Sequence, residues 1–287
     1  MPPAGRAVVI TGASSGLGEA CAHHLSRVGF HVFAGIRRPE DGKRLREVAT
    51  GRLTPLVIDV TDEESVEAAV QEVTESVGKA GLWGLVNNAG IAVTAPLECV
   101  PSELMRRQLD TNVTGQLLVV QNFLPLIRAG GGRIVNITSG LGNIAIPYLG
   151  VYASAQFAKE ALSDALRREL APQRIPVTVV QPGAVLTPLW DKMSDAGNRV
   201  LLSVPESVQA LYRDTFPRFM EANETSARNS GTTPDDVARI VFRALVAQRP
   251  RTRHSVGRDA TGSRVLARLL PDRAIDRILG GIVTSAR

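Results

Sequence analysis

Residues 11–18 read Thr-Gly-Ala-Ser-Ser-Gly-Leu-Gly. They follow an apolar run, Ala7–Ile10, and precede a segment of helical spacing, Glu19–Val28. Its inner positions are Ala20, Leu25 and Val28, and Gly29 ends it. Gly12 suits a tight turn, Gly16 lets the backbone approach an anion, and Gly18 lets the helix pack closely on the strand. The helix that starts there offers free N–H groups and a partial positive charge. This is the chemistry of a pyrophosphate cradle, with Ser14, Ser15 and Leu17 completing the loop. The next apolar run, His31–Ile36, is followed by Arg37 and Arg38. Arg37 can make a paired, charge-assisted contact with a phosphate, and Ser14 or Ser15 adds a hydroxyl donor. The four histidines lack metal-ligand spacing, so no metal site is expected. Cys21 and Cys99 are far apart with no CxxC, and they read as reduced thiols.

Such a turn needs a strand and a helix to hold it. Short apolar runs at Ala7–Ile10, His31–Ile36, Leu53–Val60, Gly84–Asn87, Ile134–Ile137 and Val177–Val180 read as strands. Longer segments of helical spacing separate them, notably Glu63–Val77, Ser102–Leu126 and Val151–Leu170. Continuous apolar strands imply burial on both faces. Strand and helix in alternation predict a single-domain, doubly wound parallel α/β sheet with helices on both faces. Residues 1–250 are assigned to that domain. Residues 188–232 are polar, contain Pro188, Pro205 and Pro217, and show weak periodicity. They are expected to form a mobile lid over the carboxyl ends of the strands.

Of 287 residues, 44% are hydrophobic and 21% charged, which excludes disordered, collagenous and disulfide-scaffold classes. No apolar run reaches the roughly 18 residues of a membrane span, and the first apolar run is too short for a secretory signal. A cytoplasmic location is therefore expected. The net charge of +5 is uneven: residues 249–287 hold nine Arg and three Asp, leaving the rest near neutrality. Within the extension 251–287, Arg264–Leu279 alternates apolar residues with arginines and is interrupted by Pro271, which predicts two short amphipathic helices. They are expected to pack on the body, with weak contact to a membrane surface as the alternative. The extension lacks aromatic residues and any nucleic-acid motif, so no nucleic-acid partner is expected. Only four of the 33 basic residues are Lys, a bias that points to a GC-rich, bacterial genome.

The glycine spacing is G-x-x-x-G-x-G. Further along come Asp59 in DVTD, NNAG at 87–90, Asn112 in DTNVTG, Ser139 in VNITSG, Tyr152 thirteen residues later, and PGAVLTP at 182–188. In this order the motifs resemble the short-chain dehydrogenase/reductase family, over roughly residues 4–250. PGAVLTPLW and the C-terminal extension are similar to its retinol- and steroid-dehydrogenase-like branch. The resemblance implies hydride exchange between a nicotinamide cofactor and an alcohol or carbonyl compound. It implies that Asp59 meets the adenine, Val60 lines its site, Asn88, Ala89 and Gly90 lie near the inner ribose, and Thr187 reaches the carboxamide. Pro182, Gly183 and Val185 belong to the same cofactor loop. The family's acidic position after the second strand falls on Ile36, so NADP is expected, with NAD as the alternative.

The resemblance also assigns Ser139 to orient the substrate oxygen, Tyr152 to transfer the proton and Asn112 to hold a water. The family places a Lys four residues after the Tyr; here the residue is Gln156. An amide still bonds ribose hydroxyls but carries no charge, so it cannot favour a tyrosinate. A slow enzyme biased towards reduction is expected; a cofactor-binding protein acting as sensor or oligomer partner is the alternative. Lys159 lies two helical turns after Tyr152, about 10 Å along the axis and too far for the ribose contact. It is expected to be a surface charge paired with a nearby acid. Leu141, Ile144, Ile146, Tyr148, Leu149, Leu189 and Trp190 are the expected substrate walls, mostly apolar, which suits a lipophilic substrate. A homodimer or homotetramer follows from the resemblance alone.

Overall fold

A computed structural model describes residues 5–281, except for the side chains of 191 and 192. The core is a seven-stranded parallel sheet in the order β3-β2-β1-β4-β5-β6-β7. Its strands are β1 (Ala7–Ile10), β2 (His31–Ile36), β3 (Leu53–Val57), β4 (Gly84–Asn87), β5 (Arg133–Ile137), β6 (Val177–Pro182) and β7 (Arg253–Val256). Strands β1, β2, β4, β5 and β6 are buried because helices cover both faces, whereas the edge strand β3 is partly exposed. Successive side chains alternate sides. Val8 and Ile10 enter one cluster with Leu25 of α1 (Gly16–Arg27), Leu45 of α2 (Pro39–Val48) and Val237 and Val241 of α10 (Pro234–Val246). Val9 and Phe33 enter the other, with Val66 and Val73 of α3 (Glu63–Val77) and Phe123 of α5 (Gly115–Gly130). The strand order reverses between β1 and β4. That crevice is where open α/β sheets bind ligands.

The sequence reading missed α2 and β7 and ran β3 three residues too far. Pro39–Val48 carries a glycine and six charged residues among ten, so its apolar stripe is thin. Strand β7 is an edge strand reading Arg-His-Ser-Val, without the apolar run of a central strand. Beyond Val57 the ladder stops because Asp59 Oδ1 accepts from the Thr61 N–H and hydroxyl, folding the chain into a turn.

Residues 188–232 are mostly helical: α7 (Leu189–Leu202), α8 (Glu206–Tyr212) and α9 (Thr215–Asn229). Val200, Leu201, Phe216, Phe219 and Met220 pack on Ala95, Cys99, Tyr148 and Leu149, giving this cap a core of its own. Short helices broken by prolines hid that pattern. In the extension, β7 pairs with β6, and α11 (Arg258–Leu269) and α12 (Asp272–Gly280) follow. Residues 282–287 of the extension lie outside the described residues.

Candidate active site

The turn after β1 is braced from β4. Asn88 Nδ2 donates to the carbonyls of Thr11 and Gly12 at 3.0 and 2.9 Å. The Thr11 hydroxyl oxygen accepts from the N–H groups of Asn88 and Ala89, both at 3.0 Å. Gly12 and Gly16 have φ of 66° and 60°, the left-handed region. A Cβ on Gly18 would stand 2.2 Å from the Gly12 carbonyl oxygen. Ser15, the residue before α1, makes no side-chain capping bond, so the first N–H groups of α1 remain open to a ligand. A pyrophosphate fits this cradle. Thr187 lies across it, its Cβ 3.3 Å from where a Gly16 Cβ would be.

Two flanking residues were not anticipated. Arg44 of α2 donates to the Ser14 carbonyl and pairs with Glu19 of α1, placing a fixed cation beside the turn. Asp259 of α11 accepts from the Ala184 N–H, pinning the loop at 182–188. Neither lies in a recognisable motif; only the tertiary fold brings them here. Arg37 is exposed and bonds to nothing among the described residues. Ile36 is buried at 2% exposure, so no carboxylate stands at the end of β2.

The candidate reacting groups come from β5, the helix before it and α6 (Gly150–Glu169). Ser139 follows β5, and its Oγ accepts from the Leu141 N–H at 3.2 Å. Tyr152 lies in the first turn of α6. Burial pushes its phenol pKa up, and the Ser139 hydroxyl beside it pulls back part of that rise. Between α4 (Ser102–Leu109) and α5 the helix widens into a π-helical turn, Asp110–Thr114, packed on α6. Such turns cluster at functional sites. Both ends of the Asn112 amide hold the Ile91 backbone, accepting at 2.9 Å and donating at 3.0 Å. Asn112 thereby fixes the chain after NNAG, and Gly90 passes so close that a Cβ there would stand 3.3 Å from Asn112 Nδ2.

Gln156 is 2% exposed, and its Oε1 has no hydrogen-bond partner among the described residues. Lys159 corrects the expectation of a surface charge. It is 2% exposed, and its Nζ donates to the Ile137 carbonyl at 2.7 Å. Burial lowers its pKa to about 8, offset in part by Glu160. The spacing Tyr152, Gln156, Lys159 and Ser163 turns these residues to one inner face, and charge alone had suggested solvent. Both thiols are buried and free, and burial pushes the Cys21 pKa up to about 12.

Of the expected substrate walls, Leu141 and Ile146 border the cap core beside Tyr152. Tyr148 and Leu149 lie within that core, where the Tyr148 hydroxyl donates to Thr215 Oγ1 at 2.7 Å. Trp190 Nε1 donates to the Val185 carbonyl, and Leu189 is exposed at the start of the cap. Ile144 is buried outside this cluster.

Residues 6–198 match the sequence pattern of the family described as short chain dehydrogenase. The chain belongs to the short-chain dehydrogenase/reductase family. It is 42% identical to a 3-amino-tetrahydro-pyrrolizinone reductase of Xenorhabdus hominickii, over 94% of this chain and 93% of that enzyme. It is 35% identical to retinol dehydrogenase 5 of Mus musculus, over 99% of this chain and 90% of that one. It therefore belongs with the retinol- and steroid-dehydrogenase-like branch. A short chain dehydrogenase of Burkholderia cenocepacia, solved with NADP, superimposes with a TM-score of 0.73 at 25% identity, covering 97% of this chain and 99% of that one. Family membership makes the chain a nicotinamide dinucleotide-dependent oxidoreductase of small alcohol or carbonyl compounds. A bound nicotinamide supplies or accepts the hydride; the protein orients the substrate oxygen and moves the proton. Among the described residues no helix is long and apolar enough to cross a membrane.

Proposed function

We propose that this short-chain dehydrogenase/reductase is an NADP-dependent carbonyl reductase acting on a lipophilic ketone or aldehyde. The observation that carries the reading is Tyr152. Its phenol is desolvated, lies beside Ser139 and has a neutral amide one turn on, so it stays protonated at neutral pH. A protonated phenol donates to the oxygen of a carbonyl being reduced. The reverse reaction needs the phenolate, so oxidation is slow at neutral pH and recovers as pH rises. The cofactor preference rests on the absent carboxylate at Ile36, on exposed Arg37 and on Arg44 beside Ser14. The apolar cap core at Leu141, Ile146 and Tyr152 supports a lipophilic substrate.

Asn88, Ala89 and Gly90 fall to the inner ribose, Asp59 and Val60 to the adenine, and Thr187 to the carboxamide. A homodimer or homotetramer using the faces of the Asn112 and Tyr152 helices fits the exposed Phe157 on α6. The C-terminal helices expose Val265, Leu269 and Ile278 among arginines, which supports weak contact with an anionic lipid surface in addition to packing on the body.

The test follows NADPH consumption with a series of lipophilic ketones and aldehydes, and NADP⁺ reduction with the matching alcohols, from pH 6 to 10. Reduction is expected to dominate at pH 7. The Gln156→Lys variant is expected to speed oxidation at pH 7 by about tenfold for each unit by which the phenol pKa falls. Oxidation as fast as reduction at pH 7 in the unaltered chain would overturn the reading.

A further inference from the structure

Lys159 is a buried ammonium with no carboxylate partner. Among the described residues it makes no ion pair, and its one hydrogen bond, to the Ile137 carbonyl, leaves two of its three donors free. Its neighbour Glu160 is engaged elsewhere. Glu160 Oε1 accepts from Thr138 Oγ1 and Gln181 Nε2, and Oε2 pairs with Arg253 of β7. One turn towards Tyr152 stands Gln156, whose buried Oε1 accepts from nothing among the described residues. An unmet acceptor and an ammonium with unmet donors thus share the inner face of one helix at a spacing of three residues. Each is costly to bury alone. A hydrogen bond from the Lys159 ammonium to Gln156 Oε1 would satisfy both.

From this juxtaposition we infer that Lys159 and Gln156 act as one unit, in which the Lys159 ammonium polarises the Gln156 carbonyl and thereby strengthens its amide N–H donors towards the Tyr152 phenolate. This deepens the reading of the chain as a reductase. When Tyr152 gives its proton to the substrate oxygen, the charge appears on a desolvated phenolate, which later takes a proton back from solvent. The positive charge that offsets it sits two turns along α6 and acts through an amide. Lys159 is a positioning residue in this scheme, since it touches neither substrate nor cofactor. Glu160 offsets part of the burial of the Lys159 charge, and the remaining groups facing the unit are neutral or paired with one another. The π-helical turn and β5 bring the neutral amides of Asn112 and Asn136, the latter donating to Ser163 Oγ at 2.8 Å. On the far side, Arg253 pairs with Glu160 and Asp164, Arg167 and Arg168 also pair with Asp164, and Arg264 of α11 lies beside Glu160.

The test reads the phenol directly in the full chain, without substrate. All three tyrosines are replaced biosynthetically by 3-fluorotyrosine, which lowers their pKa values into an accessible range. The Tyr152 ¹⁹F signal is assigned by its absence in Tyr152→Phe. Lys159→Met is expected to raise the Tyr152 midpoint by about one unit, a tenfold change in ionisation. Gln156→Met is expected to do the same, and the double variant no more than either. A Tyr152 midpoint unmoved by Lys159→Met, or single shifts that simply add, would overturn the inference. Should Lys159→Met fail to fold, the reciprocal measurement decides. In Gln156→Met, the ¹³Cε signal of Lys159 must titrate at lower pH than in the unaltered chain, because coupling is mutual; no change there also overturns the inference. Lys159→Met is further expected to lower kcat for reduction about tenfold, at unchanged KM for NADPH. Coupled midpoints without carbonyl turnover would sink the reductase reading and leave the unit standing; turnover without coupling would do the reverse.

Discussion

In the proposed reaction Tyr152 is the proton donor, and its surroundings dictate a pH signature. Burial holds its pKa above the ordinary tyrosine value, so the proton donor persists through neutral pH. Reduction at saturating NADPH is therefore expected to be flat from pH 6 to 7, to decline as Lys159 loses its proton near pH 8, and to fall further as the phenol ionises. Oxidation should rise over the same interval. Steady-state rates in both directions check this; a bell centred near pH 7 would show that another group limits the rate. Replacing Tyr152 with Phe removes the donor and keeps the ring. Loss of a positioned general acid costs about 10²- to 10⁴-fold in rate, while NADPH affinity, read by fluorescence, should change little. Asn88 invites the opposite result. Its amide braces the phosphate turn through Thr11 and Gly12, so Asn88→Ala should weaken NADPH binding and lower stability by about 1–3 kcal/mol, the cost of unpaired buried carbonyls.

Among the elements, β2 carries a pH dependence of its own. His31 is 4% exposed, lies against the Phe33 ring and bonds Thr54 Oγ1 at 2.9 Å. Burial, with Arg52 nearby, lowers its pKa to about 4. The unfolded chain binds this proton near pH 6.5 and the folded chain does not, so the stability contributed by neutral His31 is complete above about pH 6.5 and drains away towards pH 4. His31→Gln should remove about 1–3 kcal/mol of that acid sensitivity, seen as a shallower fall in Tm between pH 7 and 4.5. Elements whose pattern follows from local physics were legible in the sequence: central strands as apolar runs, and α1 from its glycine turn. Elements decided by neighbours were not. Helix α2 is too charged to show a stripe, β7 reads as polar coil until β6 presents an edge, and the cap is chopped by prolines. At the candidate site, the motif residues stand out in the sequence by type and spacing. Arg44, Asp259 and buried Lys159 do not, because their roles come from what the fold brings beside them.

At the scale of the whole molecule, the basic extension is a structural part of the enzyme. Its strand β7 closes the sheet on β6, and its helix α11 pins the loop at 182–188 through Asp259. Arg253 binds Glu160 and Asp164, both on the helix that carries Tyr152, at 2.8 and 2.9 Å. The Arg253 and Glu160 side chains are 17% and 10% exposed, so removing one partner strands a largely desolvated charge. Arg253→Ala should therefore cost about 3–5 kcal/mol, the range for a broken buried pair. Arg253→Met with Glu160→Gln should cost less than Arg253→Ala alone, since no buried charge is left uncompensated. Denaturant titrations of the three chains check this order. Deleting residues 251–287 removes strand, pin and ion pairs together, and the truncated chain should lose cooperative unfolding along with NADPH binding. A truncated chain that unfolds cooperatively and still binds NADPH would show that the extension is an appendage and that α6 is held by the remaining sheet alone.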